Sequence, residues 1–316
     1  MSESSAASAR GRSGDASPSA TRDRLFGPDF FRRLQRLKLA SRRLVAGTQK
    51  GEHRSRKRGS GIEFADYRPY IEGDGLRFVD WGAYLRFDKL LVRQFEEDGD
   101  LPVYLLLDCS ESMTGKGPEG SLRKFDFSRR VLAAIAYLSL ENLDRVILAG
   151  FAEGLVHRCP ALRGTNQIHR ALQFLASLQT GLATNLETSL RDFFGQPRRP
   201  GLVVIVSDFL HDQGASPIHK LAGLKHDVLV VRVLDHQNRA PRLPRRSRVV
   251  DVETGDELLL EEQPDRAEVY AELVAEHADE IRTLCRRNSW AFIDADSDAH
   301  FDDLVLALMR SGHLRR

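Results

Sequence analysis

The chain has 316 residues, a formal net charge of +2 and the mixed composition of a globular protein, with 41% hydrophobic and 29% charged residues. Its three cysteines are widely spaced and form no C-x-x-C pair, which excludes a disulfide framework and a zinc cluster. No apolar run reaches the roughly 18 residues of a membrane helix and no signal-peptide core follows the first residue, so the sequence predicts a cytoplasmic protein.

The first part of the chain is strongly basic. Residues 1–60 contain 15 Lys and Arg against 5 Asp and Glu, a local charge of +10 that leaves −8 for the remainder. Residues 1–24 lack an apolar period, which predicts a disordered basic tail. From Asp29 to Val45 apolar residues recur at helical spacing, which predicts a basic amphipathic helix. This arm is interpreted in three ways: as a nucleic-acid contact, as an anionic-membrane contact, or as a solvated segment packed on the main domain.

Residues 25–100 are predicted to form an N-terminal extension that ends in a strand at Leu90–Phe95. They contain a segment rich in aromatic and charged residues, GSGIEFADYRPYIEGDGLRFVDW. It is interpreted either as a partner-docking face or as structure, with a turn at Gly73-Asp74-Gly75, Arg–Asp pairs and a tryptophan packed against the sheet. The residues in question are Tyr67, Arg68, Tyr70, Gly73, Asp74, Arg77, Asp80 and Trp81.

From residue 101 onward apolar strands alternate with helical patterns, which predicts an α/β fold with a doubly wound, mostly parallel sheet over residues 101–316. A hairpin insertion is predicted near 248–260 from its Thr-Gly-Asp turn. The predicted strands are Val103–Asp108, Val146–Phe151, Leu155–Arg158, Leu202–Ser207, Val228–Leu234 and Ala291–Ile293. The predicted helices are Lys124–Leu143, Gln167–Ser177, Leu186–Phe194, Arg266–Arg287 and Phe301–Met309.

Two of these apolar strands stop abruptly at an aspartate. Asp108 ends the first strand and is followed by Ser110 and Ser112 in a D-x-S-x-S pattern, while Asp208 follows the strand LVVIVS. In a doubly wound sheet, ligands bind outside the carboxyl ends of the strands, where the strand order reverses. If these two strands are neighbours across that point, the two carboxylates face one crevice although they lie 100 residues apart.

Carboxylates and hydroxyls at alternate positions suit a hard cation, and the sequence therefore predicts a Mg²⁺ (or Mn²⁺) site. Asp108, Ser110, Ser112 and Asp208 are candidate ligands, and Thr184 in GLATNLETSL completes the set. Such a site keeps a coordination position for an outside oxygen. The alternative is structural: the aspartates act as helix caps at strand ends, and Thr184 with Glu187 forms a T-x-x-E capping box.

The D-x-S-x-S pattern, the later threonine and the later aspartate resemble the metal-ion-dependent adhesion site of von Willebrand factor A domains. The upstream aromatic and charged segment is similar to the signature of the bacterial domain-of-unknown-function family 58. The two motifs together span residues 59–235. This resemblance implies that Asp108, Ser110, Ser112, Thr184 and Asp208 bind the metal, and that the protein works with a MoxR-type AAA+ ATPase. Cys109 and the basic arm are not part of the resemblance.

Two enzymatic interpretations compete with that of a binding module. A phosphate-binding loop needs Gly at position 110 and Ser or Thr at 117, and the chain has Ser110 and Gly117 there. A metal-dependent phosphatase with Asp108 as nucleophile would resemble the haloacid-dehalogenase-like family, whose general acid is a second aspartate two residues on, where this chain has Ser110. The sequence thus predicts a non-enzymatic interaction module whose metal binds a carboxylate of a protein partner, with the phosphatase as the alternative.

Overall fold

The computed structural model describes residues 18–48, 58–59, 63–71, 79–96, 101–115, 122–181, 185–211, 216–239, 247–250, 257–260 and 266–310. The described residues form two compact units. One contains the residues up to Ser41 together with those from Pro102 onward, and the other contains the residues from Arg42 to Leu101.

The strands and helices are numbered in chain order. The strands are β1 Arg58–Gly59, β2 Glu63–Pro69, β3 Leu91–Glu96, β4 Pro102–Asp108, β5 Arg145–Phe151, β6 Leu155–Arg158, β7 Leu162–Arg163, β8 Leu202–Ser207, β9 Asp227–Leu234, β10 Ser247–Val250, β11 Glu257–Leu260 and β12 Ala291–Asp296. The helices are α1 Pro18–Leu25, α2 Pro28–Thr48, α3 Trp81–Phe87, α4 Lys124–Glu141, α5 Ile168–Ser177, α6 Leu186–Phe194, α7 Ser216–His219, α8 His236–Arg239, α9 Arg266–Arg287 and α10 Phe301–Arg310. Among these described helices, none combines the length and the apolar character needed to cross a bilayer.

A seven-stranded sheet forms the centre of the larger unit, in the order β12-β9-β8-β4-β5-β6, with β7 also paired to β5. The pairs from β12 through β5 are parallel, and β6 and β7 are antiparallel to β5. Every residue of β4 and β8 is buried, because helices cover both faces of the sheet. The predicted α/β class with a mostly parallel sheet is therefore confirmed. The antiparallel pairing of β10 with β11 confirms the hairpin near 248–260.

The direction of winding places the reversal of strand order between β4 and β8. From β4 the chain moves to β5 on one side, and later moves from β8 through β9 to β12 on the other. The register pairs Leu107 with Val206 and thereby brings Asp108 to the same sheet edge as Ser207. The neighbouring position of these two strands, predicted from the winding rule, is confirmed.

The N-terminal helices pack on the larger unit through their apolar face. Phe30, Leu34 and Leu37 are buried, and the Phe30 ring lies 5.2 Å from the Phe301 ring of α10. The disordered tail predicted for residues 1–24 is wrong from residue 18 onward, because those residues belong to α1; residues 1–17 lie outside the described part of the chain. Of the alternatives left open for this arm, the apolar stripe therefore follows the one in which it packs on the main domain.

This packing predicts unequal effects of two changes in the arm. Phe30→Ala should lower the free energy of unfolding by about 3 kcal/mol, since it empties a buried aromatic site. Leu39→Ala on the same helix should change it by less than about 1 kcal/mol, because Leu39 is 58% exposed. Deletion of residues 1–17, a polar and charged segment, should have no measurable effect. Urea unfolding of the three variants tests this, and equal stability of the two point variants would contradict it.

The smaller unit contains a three-stranded antiparallel sheet in the order β1-β3-β2, and α3. Asp80 caps α3: its Oδ1 accepts hydrogen bonds from Gly82 N at 2.9 Å and Ala83 N at 3.0 Å, and Tyr67 Oη donates to its Oδ2 at 2.6 Å. Asp80 thus has the structural role. The expectation that Trp81 packs against the sheet is wrong, since 54% of this residue is exposed. The Gly73-Asp74-Gly75 turn and Arg77 lie outside the described residues.

Candidate functional site

The D-x-S-x-S segment folds into one compact turn at the end of β4. Ser110 N donates to Asp108 Oδ1 at 2.9 Å, which closes the turn and starts a short 3-10 helix at Glu111–Thr114. The hydroxyl oxygens of Ser110 and Ser112 then lie 2.9 Å apart and share a hydrogen bond. The structure therefore brings together the three ligands predicted from this segment.

Cys109 points away from this turn, because side chains alternate along an extended chain. Its amide donates to Phe151 O at 2.7 Å and continues the β4–β5 pairing by one residue. Its sulfur lies against Gly150, where an added Cβ would be 3.0 Å from Sγ. Burial raises the pKa of the thiol to about 12, so Cys109 is a packing residue and not a nucleophile.

Asp208 is placed beside the turn by the strained start of the segment after β8. Phe209 has φ of 55° and is fully buried, and its amide donates to Ser207 Oγ at 2.8 Å. A bulky residue in this region of φ requires surrounding structure to hold it. Asp208 Oδ1 accepts from Leu210 N at 3.1 Å and from Ser112 Oγ at 3.3 Å. The predicted meeting of the two aspartate loops is thus present.

Ser207 joins the two strand ends, and sequence reasoning missed it. Its hydroxyl donates to Asp108 Oδ2 at 2.5 Å from the neighbouring strand. Burial and the nearby Asp208 carboxylate raise the pKa of Asp108 to about 7, although the hydrogen bonds from Ser207 and Ser110 lower it. Without a metal ion, Asp108 therefore holds a proton far more readily than an exposed aspartate does.

Lys124 is the second residue that was missed. It opens α4, its ammonium Nζ lies 2.8 Å from Asp208 Oδ2, and both side chains are at most 2% exposed. A signal was available: a basic residue in the first turn of a helix opposes the helix dipole and so needs another explanation. Asp235 was missed as well, although it follows a third apolar strand, β9; it is 2% exposed and its Oδ1 accepts from Asn238 N at 2.8 Å.

Thr184 lies outside the described residues, but its two flanks are described. Thr180 Oγ1 is 3.1 Å from Thr114 Oγ1, so the loop before residue 182 lies against the 3-10 turn of the site. After the gap, Asn185 caps α6 by accepting from Thr188 N at 2.9 Å. The capping-box alternative for Thr184 and Glu187 is therefore wrong, because the N-cap of α6 is Asn185, one residue later.

The candidate metal ligands that meet here are two hydroxyls, those of Ser110 and Ser112, and two carboxylates, those of Asp108 and Asp208. In the described part of the chain, no three His, Cys, Asp or Glu side chains come close enough to hold a metal by themselves. The oxygens of Asp108, Ser110, Ser112 and Asp208 nevertheless form one connected set, and all are hard ligands. Mg²⁺ keeps several waters and needs few direct protein ligands, so this set fits such an ion.

The fold and the site define a class: an α/β protein with a cluster of oxygen ligands at the switch point of a mostly parallel sheet. The chain belongs to the family described as Protein of unknown function DUF58, whose model matches residues 66–280. It is 30% identical over 203 residues to an uncharacterized protein of Mycobacterium tuberculosis and equally to one of Mycobacterium bovis, covering 61% of this chain and 62% of each relative. The chain thus spans about three fifths of the length of these curated relatives.

Two solved structures are also similar. The crystal structure of conserved hypothetical protein BatB from Bacteroides thetaiotaomicron aligns at 15% identity with a TM-score of 0.41, covering 68% of this chain and 100% of that one. An aerotolerance-related membrane protein from Bacteroides fragilis aligns at 17% identity with a TM-score of 0.40, covering 67% of this chain and 99% of that one.

Proposed function

We propose that this protein is a non-enzymatic interaction module in which Asp108, Ser110, Ser112, Thr184 and Asp208 hold Mg²⁺ or Mn²⁺, and that the ion takes an acidic group of a protein partner as a further ligand. The partner we propose is a MoxR-type AAA+ ATPase in the cytoplasm, by the family resemblance, with the complex serving assembly or activation of other proteins. When bound, the ion supplies an open coordination position for an oxygen.

The distance between the two serine hydroxyls carries this proposal. Mg²⁺ binds oxygens at 2.0–2.1 Å in octahedral geometry, so two adjacent ligands are about 2.9 Å apart. Ser110 Oγ and Ser112 Oγ are 2.9 Å apart without an ion, held there by the turn at Asp108. The chain thus positions a pair of neutral ligands at the edge length of the ion's octahedron, beside two carboxylates.

The formal charges around the crevice favour capture of an anionic group once the ion is bound. Asp108, Asp208, Asp235 and Lys124 are all buried and together carry a formal charge of −2. One divalent cation neutralises this charge. An incoming carboxylate then meets no surplus negative charge at the site.

Capture of a MoxR-type ATPase from the same organism tests the proposal. Immobilised protein should retain the ATPase in Mg²⁺ and release most of it in EDTA, and Asp108→Ala should retain little under either condition. Equal capture in Mg²⁺, in EDTA and by the variant would refute the proposed role of the ion. Arg130→Ala, a change on α4 at a side chain that donates to Leu25 O, serves as the matched control.

We predict that the purified protein does not hydrolyse phosphomonoesters above background with Mg²⁺ or Mn²⁺. Both oxygens of Asp108 already accept hydrogen bonds, from Ser110 N and Ser207 Oγ, and the residue is 1% exposed, which leaves a poor nucleophile. The position of a general acid holds Ser110, whose hydroxyl is too weak an acid to protonate a leaving group as a carboxylic acid does. Metal-dependent release of phosphate from p-nitrophenyl phosphate that disappears in Asp108→Asn would establish the phosphatase alternative.

A further inference from the structure

Lys124 divides the environment of Asp208 into two halves. Asp208 Oδ2 faces the ammonium of Lys124 at 2.8 Å, whereas Oδ1 faces Ser112 Oγ and Leu210 N. Oδ2 of Asp208 thus contacts the lysine, whereas Oδ1 faces the hydroxyl set, which consists of Ser110 Oγ and Ser112 Oγ. Removal of the lysine would free the carboxylate to rotate.

The lysine is buried and held by its own surroundings. An added Cβ at Gly115 would lie 2.8 Å from Lys124 Cε and 2.5 Å from Asp235 Oδ2, so the Gly115 backbone covers both the lysine stem and the second carboxylate. The ammonium therefore stays among buried carboxylates. A buried charge of this kind destabilises a protein unless it is paired.

The position of Lys124 does not improve helix stability. Cations are unfavourable near the N-terminus of a helix, and Lys124 is the first residue of α4. Its charge is instead matched to the strand-end aspartates. The four buried side chains Asp108, Asp208, Asp235 and Lys124 sum to −2, and without the lysine they would sum to −3.

We propose that Lys124 is a tethered cation that sets the metal affinity of the site: it orients Asp208 toward the hydroxyl set and offsets part of the negative charge that attracts Mg²⁺. This inference rests on the proposed metal site and deepens it. The site is then partly compensated without an ion, so it binds Mg²⁺ more weakly and more reversibly than its carboxylates alone would.

Calorimetric titration with Mg²⁺ and with Mn²⁺ tests the inference on Lys124→Met. The removal of one positive charge next to Asp208 should tighten the dissociation constant about tenfold or more. The metal-free variant should unfold at a lower temperature than the wild type, because Asp208 is left buried without its partner. Saturating Mg²⁺ should raise its unfolding temperature more than it raises that of the wild type.

Two further variants separate charge from structure. Lys124→Met with Asp235→Asn restores the sum of −2 and keeps every proposed ligand, so its affinity should return to within a few fold of the wild-type value. Arg130→Met removes a positive charge from the same helix at a side chain that donates to Leu25 O, away from the site, and should change affinity by less than about twofold.

Each outcome decides between the inference and the proposed function. If Lys124→Met binds as the wild type does or more weakly, the lysine is only a structural ion pair, and the metal site stands. If only Lys124→Met binds metal, the lysine replaces the ion in the wild type, and the proposed function fails while the inference holds. If neither folded protein binds, both fail. A Lys124→Met protein that stays unfolded at any Mg²⁺ concentration also overturns the inference.

Discussion

Replacement of Asp108 by alanine is expected to weaken Mg²⁺ binding more than a hundredfold, to below detection by calorimetry. Asp108 is the carboxylate around which the D-x-S-x-S turn is built, since its Oδ1 holds Ser110 N and its Oδ2 holds Ser207 Oγ. The variant therefore loses both a charged ligand and the anchor that spaces the two serine hydroxyls. Asp108→Asn keeps the shape of the side chain and should lose nearly as much affinity through charge alone.

Asp126→Asn is the matched control for this loss. Asp126 is a buried carboxylate on α4 that pairs with Arg129 at 3.1 Å and with Arg24 at 2.9 Å, and it does not contact the hydroxyl set. Its removal should leave metal affinity within about threefold of the wild type. An unchanged Mg²⁺ affinity in Asp108→Ala would show that the ion binds elsewhere in the protein.

The metal-free Asp108→Asn variant should also be more stable than the wild type at pH 8, and this difference should vanish near pH 4. The folded pKa of Asp108 is raised to about 7, so the folded state holds a proton that the unfolded state gives up at lower pH. As the pH rises from about 4 through 7, the contribution of Asp108 to the free energy of unfolding falls, and it stays low above pH 7. Thermal unfolding in EDTA at pH 4 and pH 8 measures the difference.

The local pattern of the chain determined the strands and the place where they end. β8, β6, α6 and α9 have the bounds predicted from apolar runs, turn residues and helical spacing, and for β8 the signal is strong because the strand is buried on both faces of a parallel sheet. The neighbouring position of β4 and β8 followed from the winding rule. The sequence alone thus predicts Asp108, Ser110, Ser112 and Asp208 as one cluster.

The parts that were missed depend on tertiary contacts without a local signature. The partner of Lys124 lies 84 residues further along the chain, and the Ser207 hydroxyl reaches Asp108 across a strand pair. The N-cap of α6 falls on Asn185, one residue after the threonine of the T-x-x-E pattern, a shift that the sequence pattern does not resolve. The N-terminal stripe was ambiguous because an apolar helix face looks the same whether lipid or the Phe301 side chain covers it.

Ser112→Asp is expected to separate metal binding from partner capture. The change adds a third carboxylate to the crevice next to Asp208, whose Oδ1 is now 3.3 Å from the Ser112 hydroxyl. Metal affinity should be retained or increased, since another anionic oxygen faces the ion. The charge surplus should then repel the partner's carboxylate and weaken Mg²⁺-dependent capture of the MoxR-type ATPase about tenfold or more. Calorimetry and pull-down on the same preparation measure the two effects.

Thr283→Asp adds the same charge at an exposed position on α9 and should leave both quantities unchanged. Ser112→Asp is informative because metal affinity and capture are measured on the same protein. A damaged fold would lower both quantities. Repulsion at the open coordination position would lower capture alone. If neither EDTA nor the Ser112→Asp change lowers capture of the ATPase, the partner docks elsewhere. The segment from Arg68 to Trp81 would then be the first to test, since Trp81 is 54% exposed and Asp80 already anchors α3 beside it.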